Sequence, residues 1–99
     1  MTAFPSHAEF RARLAQACSL HLAGAPAPLD GVLAEVGDRR EHSGYEQFSL
    51  LFHADGPPRQ GTYAVTFADG RHWELFLVPV AQEGARIVYE ACFNRETVS

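Results

Sequence analysis

The sequence has no lysine, only two cysteines and no long apolar run, and each of these absences argues against a class of protein. All eight basic residues are arginines scattered along the 99 residues, and twelve acidic residues give a net charge of −4. An acidic chain without a basic stripe is poorly suited to bind nucleic acid or an anionic membrane surface. No window approaches the roughly 18 apolar residues of a membrane span. We therefore expect neither nucleic acid nor a membrane as a partner.

The low cysteine content argues against a secreted domain held together by disulfides, which normally carries more cysteines. The two that are present, Cys18 and Cys92, are far apart in the sequence. The first residues also lack a basic flank followed by an apolar run, so a secretory signal is not expected. We interpret both cysteines as reduced thiols of a cytoplasmic protein.

Recognised catalytic and metal-binding motifs are missing as well. None of the five histidines pairs with another histidine, a cysteine or a carboxylate at a zinc-binding spacing. No Gly-x-Ser-x-Gly elbow, P-loop or glycine-rich dinucleotide loop occurs. We therefore predict no catalytic residue, no metal site and no cofactor. Glu74 and Glu90 share a face of neighbouring predicted strands, and an enzyme that uses them as an acid/base pair, or uses a histidine, stays open as an alternative.

The length supports one core but not two domains, so residues 1–99 are predicted to form a single domain. Ser6 and Glu9 have the spacing of a capping box, and Phe4 and Phe10 have the spacing of a hydrophobic staple. These signals predict a helix over about residues 6–16. A β region over about 17–94 and a disordered tail at 95–99 are expected to follow.

Beyond the helix, apolar residues recur with the period of two that is typical of strands. Strands are predicted over 18–22, 29–36, 45–53, 61–67, 72–80 and 85–94, with a bulge near Gly31 and a hairpin loop over 38–44. Turns rich in proline and glycine separate them, and short connections favour antiparallel neighbours. The fold class is therefore mainly β (α+β). We expect a six-stranded antiparallel meander that forms a small barrel or bent roll, with one N-terminal helix.

The last predicted strands are apolar on both faces, and such strands need a cover on both faces. The helix, through Phe10 and Leu14, is one candidate cover together with the loops. A self-association or docking surface is the other. The apolar residues that we predict to form such an interaction face are Leu51, Phe76, Val78 and Val88.

A second candidate site is a ligand-binding rim at an end of the barrel. Tyr63 and Tyr89 are expected to be core aromatics whose hydroxyls find a partner at the rim. With polar residues from neighbouring strands they give the candidate binding rim Gln60, Tyr63, Tyr89, Glu90 and Asn94. A small-ligand-binding β-barrel is therefore an alternative function.

Several segments also resemble a known family. FSLLF at 48–52, QGTY at 60–63, LFLVPV at 75–80 and YEACFN at 89–94 are similar in order and spacing to a family of short bacterial proteins catalogued as a domain of unknown function. The resemblance covers most of the chain, more weakly before residue 30, and implies no catalytic residues. It implies a structural or assembly role beside phage-tail-like proteins. We therefore expect a non-enzymatic structural or interaction module with a protein partner or self-association.

Overall fold

Residues 6–96, the part of the chain that the computed structural model describes, form one short helix and seven strands. The helix α1 spans His7–Ala12, and the strands are β1 (Ala17–Leu22), β2 (Leu29–Val36), β3 (Arg40–His42), β4 (Tyr45–Asp55), β5 (Gly61–Phe67), β6 (His72–Glu83) and β7 (Arg86–Glu96). Six strands close into an antiparallel barrel in the order β1-β2-β4-β7-β6-β5, and β5 pairs back with β1. The predicted mainly β barrel with one N-terminal helix is confirmed.

The order of the strands departs from a simple meander at one connection. Strand β4 pairs with β2 and β7, whereas β5 pairs with β1 and β6. Residues 56–60 therefore do not turn a hairpin, and they run across one end of the barrel as a crossover loop. Strand β6 bends between two partners, since His72–Leu77 pair with β5 and Val78–Glu83 pair with β7.

Strand β3 lies in the segment that was predicted as a hairpin loop. It pairs with Tyr45–Gln47 of β4 through a two-residue turn at Ser43 and Gly44, whose φ angles are 51° and 82°. Positive φ at both central residues is the type I′ geometry, which matches the twist of paired strands. All three residues of β3 are exposed, so an apolar alternation could not reveal this strand.

Two predicted boundaries in the first third of the chain are corrected. The helix ends at Ala12 rather than at residue 16, because Ala15 takes a φ of 70° and its N–H donates to the Leu33 carbonyl at 2.8 Å. This hydrogen bond ties the chain that follows the helix to strand β2. The bulge in β2 lies between Leu33 and Glu35 rather than near Gly31.

The predicted disordered tail begins too early. Arg95 and Glu96 belong to β7 and pair with Glu46 and Tyr45 of β4. The Glu46 carboxylate accepts hydrogen bonds from Arg95 and from Arg39, which holds the end of β7 in place. Residues 97–99 lie outside the described part of the chain.

The helix closes one end of the barrel. The Ser6 hydroxyl accepts a hydrogen bond from the Glu9 N–H at 3.1 Å, as the capping box predicts. Phe4, the other half of the predicted staple, lies outside the described residues. Phe10 is fully buried, and its ring contacts an aromatic cluster at centroid distances of 6.0, 5.9 and 5.4 Å from Phe48, Trp73 and Phe93.

Arg13 fastens the helix to the hairpin between β5 and β6. Its guanidinium lies over the rings of Phe67 and Trp73, 5.0 and 5.4 Å from their centroids, and donates to Asp69 at 2.9 Å. Such stacked and charge-assisted contacts suit a planar guanidinium. Leu14, one turn past Phe10, remains 47% exposed, so the apolar contact of the helix with the barrel is concentrated at Phe10.

Candidate functional site

The outer side of the wall formed by β4, β7 and β6 carries the apolar residues that the sequence predicts as an interaction face. The strand register aligns Leu51, Glu90 and Val78 in one row across the three strands, and His53, Val88 and Ala81 in the next. These side chains lie outside because their neighbours along the strands, such as Phe52 and Tyr89, are fully buried in the core.

Two further apolar side chains extend this surface along β6. Phe76 is 56% exposed and Val80, at a bulge between Pro79 and Ala81, is 51% exposed. Proline within a strand is confined to edges and bulges because it cannot donate to the ladder. We refer to the following set as the outer apolar face: Leu51, Phe76, Val78, Val80 and Val88.

The helix does not cover the outer apolar face, so that candidate cover is wrong. Phe10 turns inward and fills the end of the barrel, as its contacts with the aromatic cluster show. Of the face, Val88 is nearly buried at 6% exposure, Leu51 and Val78 are half-buried, and Phe76 and Val80 project into solvent. Apolar side chains that are exposed next to one another are typical of an interaction surface, whereas single exposed apolar residues are common on any protein.

One carboxylate and one imidazole lie among these apolar residues. Glu90 lies between Leu51 and Val78, and His53 lies on the diagonal from it in the register. Within residues 6–96, neither side chain forms an ion pair. The thiol of Cys92 is beside Glu90. Burial raises the pKa of this thiol, and the hydrogen bond to Glu90 and the negative charge of Glu90 raise it further.

The five residues predicted to line a rim fall in three places. Tyr63 and Tyr89 lie at the end of the barrel opposite the helix, and exposed Gln60 precedes β5 at the same end. Glu90 is on the outer wall, and Asn94 is near the helix end of β7, opposite Gln47. The structure therefore brings three of the five together.

The expected hydroxyl partners of the two tyrosines are present. Tyr63 donates to the Arg59 carbonyl at 2.6 Å, and Tyr89 donates to the Pro57 carbonyl at 3.0 Å. Burial raises the pKa of Tyr89, and the charge of Tyr63 and a hydrogen bond to Tyr63 raise it further, to about 12. Both phenols thus stay protonated and tie the crossover loop to the core.

A cavity of about 340 Å³ lies under this loop. Apolar side chains from β1, from the turn before β2 and from the crossover loop line it, together with Arg59 and Tyr63. The sequence does not predict this cavity, because the prolines and the glycine in segment 23–28 indicate only a turn. The run of alanines and prolines there, facing Pro57, is the signal that was available.

A shallow groove of about 500 Å³ lies near the helix end, where β2 leaves β4 and β3 begins. Gln47, Ser49, Cys92 and Asn94 line it from β4 and β7, with Arg40 from β3. The apolar pattern of the sequence does not predict this groove, because the groove depends on β3, which is exposed throughout.

Glu74, the other carboxylate considered for acid/base chemistry, is four residues along β6 from Val78, the neighbour of Glu90. That spacing is about 13 Å at 3.3 Å per residue, too far for two carboxylates to act on one bond.

Both cysteines are free thiols, with Cys18 buried and Cys92 exposed. Burial raises the pKa of Cys18 to about 11. Between Ser6 and Glu96, no group of three or more histidine, cysteine or acidic side chains is arranged to hold a metal ion. The same part of the chain contains no helix long and apolar enough to span a membrane.

Comparisons with known proteins agree with the resemblance seen in the sequence. A family model matches residues 5–93 and is described as a domain of unknown function. No curated protein and no solved structure matches the chain.

Proposed function

The chain belongs to the family described as Domain of unknown function (DUF6916), and because that description assigns no activity, we propose a function from the geometry. The chain is a non-enzymatic protein-interaction module that pairs with a second copy of itself through the outer apolar face. The observation that carries this proposal is the exposure of Phe76 and Val80 beside the half-buried Leu51 and Val78 on one continuous wall.

A second copy suits this surface because the centre of the wall is complementary to itself. Leu51, His53, Val88 and Glu90 form a two-by-two quartet in the register of β4 and β7. A twofold axis that lies in the interface along the Leu51–Val88 diagonal places Glu90 of each copy over His53 of the other. Leu51 and Val88 then each lie over the same residue of the second copy. Such isologous contacts are the commonest way in which soluble chains pair.

The charges in the quartet also favour this occupant. Two chains of net charge −4 repel at long range, so a face for self-association needs each acid to meet a donor. Glu90 has no cationic partner among the described residues, and a twofold pairing supplies an imidazole to each Glu90. Phe76 and Val80 add apolar area towards the roughly 800 Å² per partner that a stable interface buries.

Light scattering after size exclusion tests the proposal. The wild-type chain is expected at twice its 10.9 kDa, and Val80→Glu is expected to shift it to the monomer. Val80 is half exposed, so the substitution places a charge on the face without disturbing the core. Leu14→Glu is the matched control, because Leu14 has similar exposure just beyond the end of the helix, and it should leave the dimer intact. A wild-type monomer over a wide range of protein concentration refutes the proposal.

An accessory role in phage-tail-like assemblies, which the resemblance implies, is a finer proposal of the same kind, since repeated subunits need docking faces. Chromosomal neighbours that encode such assemblies would support it, and their consistent absence would count against it. A cytoplasmic location is proposed from the two free thiols, and cell fractionation tests it.

A further inference from the structure

The cavity under the crossover loop lies at the opposite end of the barrel from the helix and is separate from the outer apolar face. It reaches the core, since Leu20 and Tyr63, both almost fully buried, contribute to its lining. Leu22 and Leu29, which are half-buried, form part of its sides. A concave apolar site with few polar groups is the usual form of a small-molecule site.

The walls of this cavity are fixed before any ligand arrives. The hydroxyls of Tyr63 and Tyr89 hold the carbonyls of Arg59 and Pro57 at 2.6 and 3.0 Å. The loop passes so close to Leu29 that a Cβ on Gly56 would lie 2.7 Å from its Cδ2 atom. Because the loop is anchored, a ligand does not have to order it on binding, which favours affinity.

Arg59 supplies the charge at the cavity. It is the charged side chain among the described residues that line the space, and no carboxylate of residues 6–96 forms an ion pair with it. Its charge acts on the Tyr63 phenol: burial raises the pKa of Tyr63, while the interaction with the Tyr89 hydroxyl and the positive charge of Arg59 oppose that rise. A guanidinium at the mouth of an apolar cavity is suited to a carboxylate.

The volume limits the size of the ligand. At about 30 Å³ for each water-sized unit, the cavity admits roughly ten non-hydrogen atoms. We propose that the cavity binds a small amphipathic carboxylate, with its apolar chain against Leu22 and Leu29 and its carboxylate at Arg59. This proposal goes beyond self-association and does not depend on it.

Octanoate is a probe of this size, and NMR titration of the isotopically labelled chain tests the site. Saturable shifts are expected at the backbone amides of Leu22, Leu29 and Tyr63. Octan-1-ol, with the same chain and no charge, should bind at least about tenfold more weakly, because the hydrogen bonds to a charged partner are lost.

Two variants and one control separate the parts of the proposal. Arg59→Gln should weaken octanoate binding about tenfold or more, whereas Arg11→Gln, an exposed arginine on the helix, should not change it. Ala25→Leu, which fills part of the cavity and keeps the charge, should also reduce binding. An absence of saturable shifts, an equal affinity for octan-1-ol, or equal effects of Arg59→Gln and Arg11→Gln would overturn the proposal. The oligomeric state measured on the same samples reports separately on the outer apolar face.

Discussion

Replacement of Phe10 by alanine should strongly destabilise the fold, because this side chain closes one end of the barrel. Phe10 is fully buried and its ring contacts Phe48, Trp73 and Phe93. Alanine removes the ring from all three contacts and leaves a cavity between the helix and the strand ends. The helix has six residues, too few to be stable alone, so it depends on this anchor.

The expected cost follows from the burial. Truncation of a fully buried phenylalanine to alanine costs about 3–5 kcal/mol, against roughly 5–15 kcal/mol for the whole stability of a domain of this size. Phe10→Leu keeps much of the apolar volume and should cost about 1.5 kcal/mol or less. Leu14→Ala, just beyond the end of the same helix and 47% exposed, should change stability by no more than about 0.5 kcal/mol.

Urea unfolding followed by tryptophan fluorescence measures these differences. The chain has a single tryptophan, and the Trp73 ring lies 5.9 Å from the Phe10 ring, so the probe is next to the perturbation. If Phe10→Ala does not fold, the comparison of Phe10→Leu with Leu14→Ala still shows which of the two side chains contributes more to stability. A loss below about 1 kcal/mol for Phe10→Ala, or a greater loss for Leu14→Ala than for Phe10→Leu, would refute the account of the helix as the closure of this end.

Two further predictions concern stability. Tyr63→Phe removes the hydrogen bond to the Arg59 carbonyl and should lower the free energy of unfolding in urea by about 1 kcal/mol. Tyr45→Phe is the control and should be neutral, because half of its side chain is exposed. Equal effects of the two substitutions would contradict the role of the Tyr63 hydroxyl in holding the crossover loop. Hydrogen bonds from two arginines lower the pKa of Glu46 from its usual value near 4.5. The ionised carboxylate therefore stabilises the folded chain fully above about pH 4.5. This stabilisation is lost as the pH falls through the lowered pKa. Glu46→Gln should therefore be less stable than wild type by about 1 kcal/mol at pH 7, with the gap closing in acid. Glu41→Gln, more exposed, is the control, and a gap independent of pH would exclude this mechanism.

Local patterns were sufficient to predict most of the strands. The bounds of β2 and β5 agree with the prediction, and Tyr63, Val65 and Phe67 all point into the core as their alternation indicates. Alternation succeeds here because one face of each strand is buried and the other is not. The two-faced pattern of the later strands also places Phe76 on the side away from the core, and the side chain is 56% exposed.

Strand partners and strand β3 were beyond the reach of the same patterns. The pairing of β4 with β7 rather than β5 is set by contacts between residues far apart in the sequence, and no local signal in residues 56–60 specifies it. Strand β3 is exposed throughout, so it has no apolar face to detect. The Ser43-Gly44 pair was its available signal, since such turns require positive φ.

The candidate sites differ in how far the sequence could locate them, for a physical reason. The outer apolar face lies on regular strands, where the parity of Leu51 or Val78 fixes the side to which it points. What covers that face depends on where the helix packs, and Phe10 shows that the helix goes to the end of the barrel. The cavity is formed by turns and a crossover loop, whose relative positions follow from strand order rather than from any periodicity.

The two proposed sites lie on parts of the fold that are held in different ways, and this makes them separable. Strand β4 is paired along its length with β7 on one side and with β3 and then β2 on the other, so the quartet around Leu51 and Glu90 is held by the ladder itself. The cavity is instead held by two phenol hydroxyls on loop carbonyls. Loss of one hydroxyl should therefore loosen the cavity and leave the register of the wall unchanged. A change at Tyr63 that altered both carboxylate binding and self-association would show that the two surfaces are coupled through the barrel rather than independent.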